Sequence, residues 1–142
     1  MKTLVFAMCL LVSGACWAQD NVWRKTQFNY QMFCQGCHTP DGSGANSVPR
    51  MKDHVGFFLN TVAGREYLVR VPGSATSALS DKELADVLNW ILVEFAGNSL
   101  SDSYRPYASA EVARLRQNPL NEVAQYRAQL LSEIASAQRT GQ

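Results

Sequence analysis

Cys34-Gln35-Gly36-Cys37-His38 constrains this chain more than any other stretch. These five residues hold two thiols and an imidazole, and one helical turn brings Cys34 and Cys37 to the same side. Whatever they bind must be accommodated by a chain of 142 residues, 46% hydrophobic and 18% charged. That length fits one domain, or one domain with an appendage, around a core of modest size. A formal net charge of +1 removes the usual footprint of a nucleic-acid binder, so no nucleic-acid partner is expected. Ordinary Gly and Pro contents exclude a fibrous or disordered chain. No β alternation surrounds the motif, and an all-α fold is expected.

The other two cysteines, Cys9 and Cys16, lie in an opening stretch that reads as a secretory signal peptide. Met1-Lys2 gives a positive start, residues 3–12 are almost wholly apolar, and Cys16-Trp17-Ala18 ends in a small-x-small cleavage site. The apolar run is shorter than the roughly 20 residues of a spanning helix. Cleavage after Ala18 leaves Cys34 and Cys37 as the cysteines of the mature chain. Ser13-Gly14-Ala15-Cys16 also resembles a bacterial lipobox, although Ser13 stands where that box has a branched apolar residue. Lipidation at Cys16 is the lesser alternative, and would tether the protein without spanning. No later segment is apolar for long enough to cross a membrane, so a periplasmic location is expected.

The Cys-x-x-Cys-His pattern is that of covalent haem attachment. Each thiol can form a thioether to a haem vinyl group, and the adjoining His38 can bind the iron as proximal ligand. Three other readings compete. A redox dithiol would follow a strand and open a helix in a βαβ unit. A Cys34–Cys37 disulfide closes too small a loop to stabilise much. A zinc site could be assembled only from Cys34, Cys37, His38 and His54, with adjacent ligands poorly placed to share one ion.

The flanks extend the pattern. Tyr30-Gln31-Met32-Phe33 precedes the motif, Thr39-Pro40-Asp41-Gly42-Ser43-Gly44 follows it, and Val48-Pro49-Arg50-Met51 lies beyond. Residues 22–33 read as a helix, with Val22, Trp23, Phe28, Tyr30 and Phe33 as an apolar stripe for the core. Further on, Ser80 and Glu83 form a capping-box pattern, Leu84, Val87, Leu88, Ile91 and Phe95 recur at helical spacing, and Gly97 can end that helix. Over about residues 22–97 the chain resembles the class I cytochromes c. The resemblance implies a helical haem domain with one covalently attached haem c. It implies that the Pro49 carbonyl orients the His38 imidazole. It also implies one-electron transfer between redox partner proteins rather than catalysis.

The resemblance fails at one place. The family carries a loop methionine before the last helix, often as Met-Pro, and this chain has Val71-Pro72 there. The remaining candidates for a sixth iron ligand are His54 and Met51, or an open position. Met32 is too near Cys34 in sequence for a distal role. An open position would admit a gas or peroxide, which is the alternative function. Tyr67, Arg65 and Arg70 lie where a distal side could form, and Arg65 or Arg70 suits a haem propionate.

Residues 98–142 exceed what such a domain needs. A polar linker over residues 98–107 leads to a short helix near residues 109–116, stopped by Asn118-Pro119. A second helix is expected over about residues 121–137, with Val123, Tyr126, Leu130, Leu131 and Ile134 on one side. Arg114, Arg116, Arg127 and Arg139 make the piece locally basic. Its plainest role is a helical hairpin covering part of the haem domain, and the alternative is docking to an acidic redox partner. The expected organisation is therefore a signal peptide at 1–18, a haem-binding domain at 19–97, and a linker with helical extension at 98–142.

Overall fold

The computed structural model describes residues 21–140, so the expected signal peptide and the Cys16 lipidation site lie outside the described residues. All regular structure among the described residues is helical. Helix α1 covers residues 21–33, followed by α2 (Gln35–His38), a 3-10 turn (Val55–Asn60), α3 (Val62–Arg70) and α4 (Pro72–Ala75). Then come α5 (Asp81–Phe95), a second 3-10 turn (Gly97–Ser99), α6 (Ser109–Leu115) and α7 (Val123–Thr140). No described helix is long and apolar enough to cross a membrane.

Helix α5 is the axis of the core. The Ser80 hydroxyl accepts from the Glu83 amide while the Glu83 carboxylate accepts from the Ser80 amide, so orphan donors of the first turn are satisfied reciprocally. Leu84, Ala85, Val87, Leu88, Trp90, Ile91, Leu92 and Phe95 are all buried. The helix stops at Phe95, and Gly97 adopts φ +50°, the left-handed conformation that ends helices. The Lys25 ammonium reaches Glu83 at 2.9 Å and ties α1 to the start of α5. That contact, with the Ser80 hydrogen bonds, holds the Glu83 carboxyl at about 2.

Helix α1 corrects the expected apolar stripe. Its buried face is Thr26, Asn29 and Tyr30, whereas Val22, Trp23, Phe28 and Phe33 are 44–57% exposed. Tyr30 alone of that stripe enters the core, where its ring lies 4.9 Å from Trp90 and 5.3 Å from Phe95. A helical period fixes which residues share a face, but it does not say which face a neighbouring helix will cover.

The segment after residue 97 is built into the body of the protein. The Asn89 side chain grips the Tyr107 backbone at both ends, donating to its carbonyl (3.0 Å) and accepting from its amide (2.7 Å). Tyr107 is buried, and its hydroxyl donates to the Arg65 carbonyl at 2.7 Å. Arg116 donates to the carbonyls of Ala75, Ser77 and Leu79 and to Asp81. Val112 and Leu115 join the main core. Leu130 and Ile134 of α7 close a second cluster with Phe58, Tyr67 and Leu120. Arg116 is thus consumed inside the fold rather than offered to a partner.

Arg65 is the hinge pin of that attachment. Its guanidinium forks onto Glu111 at 2.7 and 2.8 Å, donates to the carbonyls of Arg105 and Pro106, and lies 4.1 Å over the Tyr107 ring. The Arg65 hydrogen bonds hold the Glu111 carboxyl below the usual carboxylate range, against its partial burial. A depressed carboxyl stabilises the fold fully above its unfolded pKa, and that share is lost as pH falls through the folded pKa. Glu111→Gln should therefore cost about 2 kcal/mol at neutral pH, in line with a charge-assisted bond. Urea melts of wild type and variant should converge as the medium is taken well below pH 4.5. Ser80→Ala should cost about 1 kcal/mol in the same melts through loss of the α5 cap.

Candidate functional site

The motif is presented by a near-continuous helical run. The Cys34 amide donates to the Tyr30 carbonyl (2.9 Å), and the His38 amide donates to the Cys34 carbonyl (3.0 Å), so α2 follows α1 with little change of direction. Thr39, at φ +65°, ends the run, and its carbonyl accepts from the Tyr30 hydroxyl at 2.6 Å. The chain then turns through an Asp41 side chain that accepts from Thr39 and from the Ser43 amide. At Gly42, φ is +71°, and an added Cβ would come within 2.8 Å of the Phe95 ring. The Gly42 carbonyl accepts from the Met51 and Lys52 amides (2.8 and 3.0 Å), which brings Pro49 and Met51 back beside the motif.

This arrangement opens a cavity of about 600 Å³. Cys34, Cys37 and His38 form one part of its wall, with Pro49, Arg50 and Met51 beside them. Leu84, Val87, Leu88 and Ile91 of α5 contribute apolar surface, as do Val55, Phe58, Leu68 and Leu79. Val71, Pro72, Gly73, Ser74 and Ser77 supply a further stretch, Phe33, Ser47 and Tyr67 add to it, and Val123, Ala124 and Arg127 of α7 form the last part. The volume is that of a small-molecule or cofactor site, and the lining is mainly apolar with a few polar groups.

The chemistry of the donors selects among the sequence readings. Burial pushes the Cys34 thiol up to about 11, with Cys37 adding to the effect, opposite to the lowered pKa of a redox dithiol. Among the described residues no group of three His, Cys, Asp or Glu side chains is assembled for a metal ion, which removes the zinc reading. Burial lowers the His38 pKa and so favours the neutral imidazole, the form that binds iron. The Pro49 carbonyl works in the opposite direction on His38. Nδ1 of His38 is buried without a hydrogen-bond partner among the described residues. An apolar slot with two thiols and a neutral imidazole on one wall fits a covalently held haem.

Comparison with known proteins agrees. The chain is 30% identical over 106 residues to cytochrome c-552 of Thermus thermophilus, covering 61% of this chain and 81% of that protein. The chain belongs to the c-type cytochromes. A second cytochrome c-552 of the same species is also 30% identical over 106 residues, with 72% of it covered. No family model and no solved structure matches the chain significantly.

The structure of this c-type cytochrome brings Cys34, Cys37, His38, Pro49 and Tyr67 to one cavity and leaves His54, Arg65 and Arg70 outside its wall. His54 precedes the first 3-10 turn, and its ring stands edge-on to Phe57 and Phe58 (5.6 and 6.1 Å) rather than on the cavity wall. Arg65 is turned away from the cavity, held by Glu111. Arg70 is held by the Asn118 carbonyl (2.8 Å) and Glu66. Both arginines anchor the C-terminal segment, whose path sequence spacing does not reveal. The cavity instead receives Arg50 and Arg127. Arg50 could have been noticed beside Pro49, whereas Arg127 lies more than eighty residues from the motif and carried no signal.

Gly42→Ala tests the packing that supports this wall. The left-handed backbone and the 2.8 Å approach to Phe95 both oppose a methyl group, so a loss of about 1–3 kcal/mol is expected in thermal melts.

Proposed function

We propose that this c-type cytochrome is an exported monohaem protein of class I type that carries single electrons between protein partners in the periplasm. Cys34 and Cys37 would hold one haem c through thioethers, with His38 as a ligand to its iron. The haem supplies a ferric–ferrous couple, and the chain binds it, orients it and keeps water from it. The observation that carries this reading is the apolar cavity with both thiols and a neutral imidazole on one wall. Pro49 aligns the imidazole through its carbonyl.

A second reading, a haem that binds a small ligand such as a gas or peroxide, is favoured by one specific observation. Residues 71–77 do reach the cavity, where the family's loop methionine would stand, but they offer Val71, Pro72, Gly73, Ser74 and Ser77. None of these is a thioether or an imidazole. Met51 lies two residues from Pro49, on the side of the cavity already taken by His38. The Oγ of Ser77 is buried without a hydrogen-bond partner.

The deciding experiment is the visible spectrum of the exported protein, oxidised, reduced, and reduced under CO. A haem spectrum that survives denaturation is expected, and it should be lost in a Cys34→Ser, Cys37→Ser double variant. A reduced spectrum that shifts under CO would establish the open sixth position. A low-spin spectrum indifferent to CO would leave electron transfer standing alone. A colourless protein from a host that attaches haem would overturn both readings.

A further inference from the structure

Arg127 differs from the other arginines of the C-terminal segment. Arg116 is spent on three carbonyls and Asp81, Arg105 lies against Glu111, and Arg139 donates to Ser136. Arg127 is half-buried, lines the cavity, and has no hydrogen bond or ion pair with a described residue. Arg50 lines the same cavity, and its guanidinium is already paired with Asp53 at 2.9 Å. Both arginines lie close enough to His54 to lower its pKa after the larger effect of burial. Two guanidiniums therefore line one apolar slot. Like charges brought together this way repel unless an anion lies among them.

We propose that Arg127, carried by the C-terminal helix α7, is a positioning residue that pairs with a carboxylate of the bound haem. This inference rests on the haem reading above, and it assigns the extension a part in the cofactor site. A haem carries two carboxylates and is otherwise apolar. A cation at the polar edge of the cavity stabilises those carboxylates, and a planar guanidinium meets a carboxylate with two parallel bonds. The free fork of Arg127 supplies that cation, while Arg50, shared with Asp53, contributes field. Val123 and Ala124, one turn earlier on α7, cover the apolar part of the same edge. The positive charge also favours the ferrous over the ferric state, because reduction lowers the net charge of the iron centre.

The test is a mediated redox titration of the haem-loaded full chain. Arg127→Gln should lower the one-electron reduction equilibrium constant about tenfold, a midpoint shift of about 59 mV. Arg127→Lys should restore most of the shift, because charge is kept although the fork is lost. Arg114→Gln removes the same charge from an exposed position on α6 outside the cavity wall, and it should leave the midpoint close to wild type. A midpoint shift in Arg127→Gln no larger than that of Arg114→Gln would overturn the inference. So would an equal shift in the glutamine and lysine variants, which would mark a packing role. A wild-type protein that takes up no haem would instead overturn the functional reading itself, so the two failures are distinguishable.

Discussion

The seating of Tyr30 between α1 and α5 is the interaction on which the rest depends. Its side chain is 1% exposed, its ring packs on Trp90 and Phe95, and its hydroxyl donates to the carbonyl that ends the motif helix. Burial raises its own pKa to about 12, so the phenol remains a donor at any physiological pH. One residue thus fixes the crossing of two helices and the point where Cys34–His38 stops. Phe95, on the other flank, lies against Gly42, whose carbonyl gathers the Pro49–Met51 segment. The wall of the cavity that carries the motif is a consequence of these contacts and not of the motif alone.

Much of this was legible in the residues. The motif pointed to the c-type cytochromes, the family to which comparison assigns the chain. Helix α5 was legible to its ends, since a capping box, a helical apolar repeat and a terminal glycine all point the same way. The face of α1 was not. Trp23 and Phe28 are as apolar as Tyr30, and only the position of α5 decides which of them is covered, while Phe33 turns to the cavity instead. His54, Arg65 and Arg70 illustrate the same limit. Each has suitable chemistry near the motif in sequence, but the backbone turns these side chains toward other partners.

The C-terminal segment is where local reasoning carried least. Its two helices follow from periodicity, yet their role follows from single polar contacts across long stretches of chain. Asn89 with Tyr107, Arg65 with Glu111, and Arg116 with the carbonyls ahead of α5 are all satisfied pairings of partly buried groups. Removing one member of such a pair strands the other, so these contacts specify where the segment lies as well as how firmly. The second apolar cluster, with Phe58, Tyr67 and Tyr126 in a stack, then fixes the helix that reaches the cavity.

A cavity walled by residues 34–38 and again by 123–127 also imposes an order of assembly. The cysteines emerge early from any chain made or exported N-terminus first, whereas the last wall arrives near its end. Without α7, the cavity would lack the wall made by Val123, Ala124 and Arg127. Once α7 has docked, the cavity is enclosed by a helix whose own position depends on Tyr67 and Phe58. The compartment is therefore shared between segments far apart in the chain, and its closure depends on a second apolar cluster that contains none of the motif residues.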